Sequence, residues 1–435
     1  MFTGRGKAPP SRFSTAYLLL IVSFFALTGC TTLRREQAPE SLLNDASPVG
    51  FQPDIRYVSS DPNAVQLRFS EALRHLRATS QNKDLNILAL SGGGAGGSFG
   101  AGALAGLSLQ GKRPQFDIVT GVSAGALIAP FAFLGTTWDA RLEENFSGNH
   151  SDNFLNLRGL GIFTHPGIYH SEPLVKFVDD FVTDDMIKEV AAQAALGRML
   201  LIATTDLDKE ETVIWDMGQI AKRGGKEARM LFRDVLVASA SIPGVFEPVI
   251  IPVENAGIRH DEMHIDASAT VPFFVAPALA YVLPLDTKIF RGANIYVIIN
   301  GQLGGIPHTT ELNTISILSR SFSAVLNHMA RSQIALTLAF ANEYGMNLKL
   351  TQIPIEYPFR GPLEFHESTS RELFKYASDC AQRDKIWNTV EESIVHNLKA
   401  LSRQTSNYLP TSSQSIISCP FDSSETPILS PSSVQ

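Results

Sequence analysis

Gly121-Val122-Ser123-Ala124-Gly125 is the feature that most restricts this chain. A G-x-S-x-G run marks a sharp turn from strand into helix with the serine at its apex. Gly121 and Gly125 supply the missing side chains that would otherwise clash in so tight a bend. The surroundings fit, because 116–120 reads as a short strand and 124–134 as an apolar helix. One β–α unit upstream, the apolar run 85–90 leads into Gly92-Gly93-Gly94-Ala95-Gly96-Gly97 and a small-residue helix over 101–109. Unbroken apolar runs are the signature of strands buried on both faces, so two such units in succession point to a parallel sheet.

Further strands are expected at 199–205, 212–215, 263–266 and 293–299, and helices at 61–79, 171–182, 232–240, 312–344 and 368–401. Strands alternating with helices give a three-layer α/β/α fold around a mostly parallel central sheet. The 435 residues, 44% hydrophobic, are enough for a large buried core. A formal net charge of −7 argues against nucleic acid as a partner, since phosphate binding needs basic patches.

The N-terminus is distinct. Arg5, Lys7 and Arg12 precede an apolar stretch at 16–27 of the length of a signal-peptide core. It ends in Leu27-Thr28-Gly29-Cys30, which resembles a bacterial lipobox. That resemblance implies cleavage before Cys30, acylation of Cys30, and anchoring to a membrane of the cell envelope, with the outer membrane favoured because no Asp follows the cysteine. No run beyond the first thirty residues is long and apolar enough to span a bilayer. The expected organisation is a signal peptide (1–29), a Pro-interrupted tether (30–60), a lead-in helix (61–83), a core domain (84–280), a mainly helical extension (281–403) and a flexible Ser/Thr/Pro-rich tail (404–435). Cys380 and Cys419 either pair in an oxidising compartment or remain free thiols.

The glycine cluster taken alone has three readings: a dinucleotide fingerprint with Asp117 as ribose ligand, a phosphate loop lacking its lysine, or an oxyanion hole of backbone N–H groups. Asp117 sits at the start of its strand, badly placed for a ribose, and Ser123 one unit on favours the oxyanion hole. A nucleophilic serine needs a base. His308, His328, His366 and His396 lack distinctive surroundings, whereas Asp266 closes the strand 263–266. A partly buried carboxylate whose pKa is raised can take a serine's proton.

Together these pieces resemble the patatin-like phospholipases. Leu90-Ser91-Gly92-Gly93-Gly94, the run 117–125 through Ser123, and Ala238-Ser239-Ala240-Ser241-Ile242-Pro243-Gly244-Val245-Phe246 follow that family's pattern in order and separation. The resemblance implies hydrolysis of lipid acyl esters by a Ser123–Asp266 dyad, an oxyanion hole at Gly92, Gly93, Gly94 and Gly97, a nucleophile elbow at Gly121 and Gly125, and neither cofactor nor metal. This chain departs from the family twice: Gly96 stands where an Arg or Lys is usual, and Asp266-Ala267-Ser268 replaces Asp-Gly-Gly. A Gly required at 267 for positive φ would leave Ala267 strained. Two other readings therefore stay open, a catalytically weak lipid-binding scaffold on the same fold and a Ser-His-Asp esterase. His260, Asp261, Glu262, His264 and Asp266 look superficially like metal ligands without an established ligand spacing, and His264 is a candidate to orient Asp266. Trp138, Trp215 and Trp387 read as packing residues.

Overall fold

The computed structural model describes residues 35–43, 46–58, 62–79, 84–149, 154–159, 165–276, 290–304, 309–406 and 419–420. Its strands are β1 (Ser47–Pro48), β2 (Arg56–Val58), β3 (Asn86–Leu90), β4 (Ile118–Gly121), β5 (Met199–Asp206), β6 (Glu211–Asp216), β7 (Val249–Asn255), β8 (Ile258–Asp266), β9 (Asn294–Ile299) and β10 (Asn347–Gln352). Its α-helices are α1 (Pro62–Thr79), α2 (Gly97–Leu109), α3 (Ala124–Leu134), α4 (Asp139–Phe146), α5 (Glu172–Phe181), α6 (Asp184–Ala195), α7 (Met217–Arg223), α8 (Gly225–Ala240), α9 (Thr314–Tyr344), α10 (Glu367–Gln382) and α11 (Val390–Ser406).

The strands form one sheet in the order β1-β7-β8-β5-β4-β3-β9-β10, with β6 on β5 and β2 on β6. From β5 to β10 neighbours run parallel, and β1, β2, β6, β7 and β8 make an antiparallel flank. Successive side chains of a strand point to opposite faces, and the central strands are buried on both. Leu88, Leu90, Val119, Leu200 and Ile202 pack with α2, α3, α5, α6, α8 and α10 in one core. Their neighbours Ile87, Ala89, Ile118, Met199 and Leu201 pack with α1 and α9 in the other. This is the α/β architecture, helices flanking a central sheet, that the alternation of strands and helices implies.

Small residues set one helix contact. Cβ atoms on Gly102 and Gly106 of α2 would lie 2.2 Å from Phe374 O and 2.3 Å from Ser378 O, so α10 rests directly on the α2 backbone. The expected strands at 85–90, 116–120, 199–205, 212–215 and 293–299 are present within two residues at each end. β7 was not foreseen, because Pro252 interrupts its pattern and proline cannot donate to a ladder. The single helix expected over 368–401 is two. Between α10 and α11 the chain turns through Asp384 at φ 62°, and Asn388 bridges to Leu350 of β10.

Cys380 of α10 is bonded to Cys419, with their Cα atoms 5.5 Å apart, and Asn388 Nδ2 donates to Pro420 O at 2.8 Å. These two residues of the expected flexible tail are therefore docked and buried. Closing a loop of 39 residues is worth roughly 3–4 kcal/mol in the chain-entropy picture. Reduction, or Cys419→Ser, should lower the unfolding free energy measured in denaturant by an amount of that order, and equal midpoints with and without reductant would contradict the crosslink.

Candidate active site

Pairing on β5 creates the site. β4 runs beside β5 from Ile118 opposite Met199 to Gly121 opposite Ile202, then leaves the sheet. β8 enters the vacated edge from the opposite end, with His264 opposite Asp206 and Asp266 opposite Thr204. The two strands thus meet nearly end to end along one neighbour. Ser123, just past the end of β4, and Asp266, the last residue of β8, come together where they meet. The Ser123 hydroxyl donates to Asp266 Oδ2 at 2.6 Å.

Ser123 adopts φ 54°, ψ −125°, an unfavourable conformation for a residue with a side chain, costing about 1–3 kcal/mol. The elbow glycines allow it. A Cβ at Gly121 would lie 2.7 Å from Ala126 Cα, and one at Gly125 2.4 Å from Leu90 O. One segment then fixes both partners: Ser123 N–H donates to Ser239 Oγ at 3.0 Å, and Asp266 N–H to Ser241 O at 2.9 Å. Ser239 and Ser241 lie at the end of α8, in the run that resembled the family pattern. Nothing in the sequence assigned them these bonds.

Asp266 is fully buried. Its Oδ1 accepts the Ser268 N–H at 2.8 Å. Burial raises its pKa, hydrogen bonds from Ser123 and Ser268 pull it back, and the balance leaves it at about 6. It is thus ionised near neutral pH yet basic enough to accept a proton. Ala267 opens a 3₁₀ turn (Ala267–Ala269) and is not among the positive-φ residues, so the turn tolerates its side chain without the strain feared for it.

The glycine loop is shaped by close approach. Cβ atoms at Gly92, Gly93 and Gly94 would lie 2.4 Å from Ser268 Oγ, 1.8 Å from Asn300 O and 2.0 Å from Pro362 O, and Gly94 has φ 54°. Gly97 begins α2 within 3.2 Å (as a virtual Cβ) of Ala124 Cβ. Donor roles separate here. Gly92 N–H is engaged by Pro272 O, Ala95 N–H by Pro362 O, and Gly97 N–H by carbonyls of its own turn, so Gly92 and Gly97 shape the loop instead of offering donors. Gly93 and Gly94 are the remaining candidates. At Gly96 a Cβ would meet Asn300 O at 2.0 Å. The missing basic residue is therefore matched by a loop with no room for one.

Two spaces adjoin this centre. An apolar pocket of about 70 Å³ touches Ser123, Leu127, Phe146, Phe177, Ile242 and Phe246. A larger cavity of about 730 Å³ lies across the glycine loop, lined by Gly92, Gly93, Ser268 and Asn300 and by Arg320 and Arg360. That volume suits a sizeable organic molecule.

Other expected participants lie elsewhere. His264 faces Thr204 Oγ1 (Nδ1, 3.0 Å) and Glu262 Oε2 (Nε2, 3.3 Å), so Ser268 and not His264 orients Asp266. His396 pairs with Glu356 at 3.1 Å, His366 lies beside Glu364, His328 is exposed on α9, and His308 lies outside the described residues. Asp117 is buried and accepts Asn86 N–H at 2.9 Å, a strap between β3 and β4. Trp215 is buried and donates to Thr204 Oγ1. Asp206, Glu262 and His264 place ligand-type atoms within 4.8 Å of one another. Lys209 Nζ already lies 3.0 Å from both Asp206 Oδ2 and Glu262 Oε1, and Arg56 pairs with Glu262, so cations of the chain itself balance the cluster. Burial alone would raise the Glu262 pKa, but His264 and Arg56 outweigh it and hold the carboxyl well below the usual range. Cys30 lies outside the described residues.

Gly96→Arg should destabilise the fold by about 3 kcal/mol through overpacking against Asn300 and Phe359. Denaturant unfolding measures it; a variant as stable as the parent would show that the loop opens readily at this point.

Residues 88–278 match the family model of the patatin-like phospholipases, so the chain carries a patatin-like phospholipase domain. No curated protein matches the sequence. Among solved structures, VipD from Legionella pneumophila is similar over 73% of this chain and 70% of that one, at 12% identity and a TM-score of 0.29, a likeness too slight to carry an argument.

Proposed function

We propose that this patatin-like domain hydrolyses carboxylic esters of lipids with Ser123 as nucleophile and Asp266 as its base. The family is one of lipid hydrolases. The observation that carries the finer reading is the 2.6 Å hydrogen bond from Ser123 Oγ to a buried carboxylate, at a strained turn that holds the hydroxyl in place. As Oγ attacks the ester carbonyl carbon, its proton passes to Asp266 Oδ2. Negative charge collects on the carbonyl oxygen, where the N–H groups of Gly93 and Gly94 stabilise it. The C–O bond then breaks, and the departing alkoxide takes the proton from Asp266. Water, deprotonated by the same carboxylate, then adds to the acyl carbon; the acyl–Oγ bond breaks, the fatty acid leaves, and the proton passes from Asp266 back to Ser123 Oγ. The small apolar pocket beside Ser123 suits the first part of an acyl chain, and the wide cavity, lined by polar groups that include Arg320, Arg360 and Glu311, suits a polar remainder.

Because the base must be ionised, activity is expected to rise through about pH 6 and to level off above it. A fluorophosphonate probe should label Ser123 in the parent and nothing in Ser123→Ala or Asp266→Asn. The pKa of a buried acid raised in the native state means that its ionised form opposes folding above that pKa. Asp266→Asn should thus be no less stable than the parent at pH 8. Correctly folded parent protein that takes up no label would favour the lipid-binding scaffold; labelling that survives Asp266→Asn would return attention to a histidine base.

A second part of the proposal concerns the N-terminus. Leu27-Thr28-Gly29-Cys30 directs acylation of Cys30 and tethers the domain to an envelope membrane. Among the described residues no helix is long and apolar enough to cross a membrane. The parent should fractionate with membranes, and Cys30→Ala should be released or left unprocessed; a variant as firmly membrane-bound as the parent would remove the anchor.

A further inference from the structure

The chain emerging from the N-terminal region is pinned to one corner of the domain. Arg35 donates to Asp261 O through Nε (3.0 Å) and Nη2 (2.8 Å), and its guanidinium also pairs with Asp208. Glu36 N–H donates to Asp261 Oδ2 at 2.9 Å, and Asp261 N–H returns a bond to Glu36 O at 2.8 Å. Only five peptide steps separate Arg35 from Cys30. Fully extended they reach roughly 17 Å. Acyl chains on Cys30 would therefore hold this corner close to the bilayer surface, whatever path the intervening residues take.

The corner carries apolar side chains in the open. Leu207, in the β5–β6 turn, is 44% exposed and donates its N–H to Met263 O. Met263 is paired with Ile250 of β7, itself 36% exposed. Residues directly opposite across antiparallel strands share a face, so Leu207, Met263 and Ile250 form one row. Met263 is two residues from Asp261, roughly 7 Å along the strand. Beyond it the β7–β8 hairpin ends in a two-residue turn, Ala256 and Gly257 both at positive φ, that presents Ile258 at 49% exposure. Of the carboxylates at this corner, Asp208 is paired with Arg35 and Asp261 accepts Glu36 N–H, while Glu36, Glu210 and Glu254 are exposed around the apolar row.

This corner also lies at the end of the sheet that holds the dyad. Thr204 is opposite Asp266, and Leu207 is three residues further along in the same direction, roughly 10 Å. We infer that the row Leu207–Met263–Ile250 and the hairpin tip at Ile258 rest on the bilayer that receives the acylated Cys30, turning the Ser123 end of the sheet toward the lipid. The inference rests on the reading of Cys30 as an anchor and adds to it an orientation. A tether alone would let the domain tumble; a pinned tether beside an apolar row does not.

The test uses the full, processed chain in liposomes of phosphatidylethanolamine and phosphatidylglycerol containing a lipid with a nitroxide at its headgroup. A thiol-reactive fluorophore is placed at Leu207→Cys or Ile258→Cys. Controls are Leu109→Cys and Leu196→Cys, which are well exposed at the opposite end of the sheet, at the end of α2 and just before β5. All four sites are exposed, so the labels do not disturb the core, and an unchanged melting profile checks this. The N-terminal peptide is analysed for acylation by mass spectrometry. Quenching at 207 and 258 several-fold stronger than at 109 and 196 supports the orientation. Equal or reversed quenching with Cys30 acylated overturns the orientation and leaves the anchor intact. An unacylated Cys30 overturns both.

Discussion

The edge of β5 is the constraint on which the rest depends. Two strands running in opposite directions share it, β4 over its first half and β8 over its second. A parallel strand that leaves the sheet at a sharp turn vacates hydrogen-bonding positions on its neighbour, and buried backbone groups cannot remain unpaired. β8 fills that vacancy. The same pairing that satisfies the backbone of β5 brings Asp266 to within 2.6 Å of Ser123, although 143 residues separate them. Contact between these side chains is thus a by-product of sheet completion, and its precision is that of a ladder register rather than of a loop.

Around this point the structure trades local stability for readiness. Ser123 holds an unfavourable backbone conformation, and Asp266 is buried where its charge is disfavoured. Neither would persist unless its surroundings determined it on several sides. Ser239 and Ser241 fix the two backbone amides, Ser268 N–H holds the second carboxylate oxygen, and Leu90 and Ala126 press on the elbow glycines. A buried carboxylate held at about 6 thus already accepts the hydrogen bond of the Ser123 hydroxyl.

The antiparallel flank does a second task. Arg56 and Lys209 face Asp206 and Glu262 in a buried network of ion pairs, with His264 beside it, that ties β2 and the β5–β6 hairpin to β8. Removing one member would strand an uncompensated charge. With Arg35 clamped on Asp208 and Asp261 just outside it, the N-terminal segment is fastened to the strand that carries Asp266. Whatever holds that segment therefore bears on the orientation of the whole site.

The sequence alone determined the local elements: the elbow, the glycine loop and the apolar strands at 85–90 and 199–205; it offered Asp266 as candidate base only through the strand it closes and the family resemblance. These were legible because each depends on neighbours in the chain, through a tight turn, a buried two-faced strand or a helix start. Tertiary structure decided what depends on distant partners. Gly92 N–H is spent on Pro272 O and Ala95 N–H on Pro362 O, and Gly96 is bare because Asn300 approaches it. The role of His264 is set by Thr204 and Glu262, and the tolerance of Ala267 by the turn it begins. Pro252 hid a strand that only its pairing with β8 reveals. Spacing in a sequence records periodicity, but the distance between β4 and β8 is fixed by the strand they share, and no local pattern encodes that neighbour.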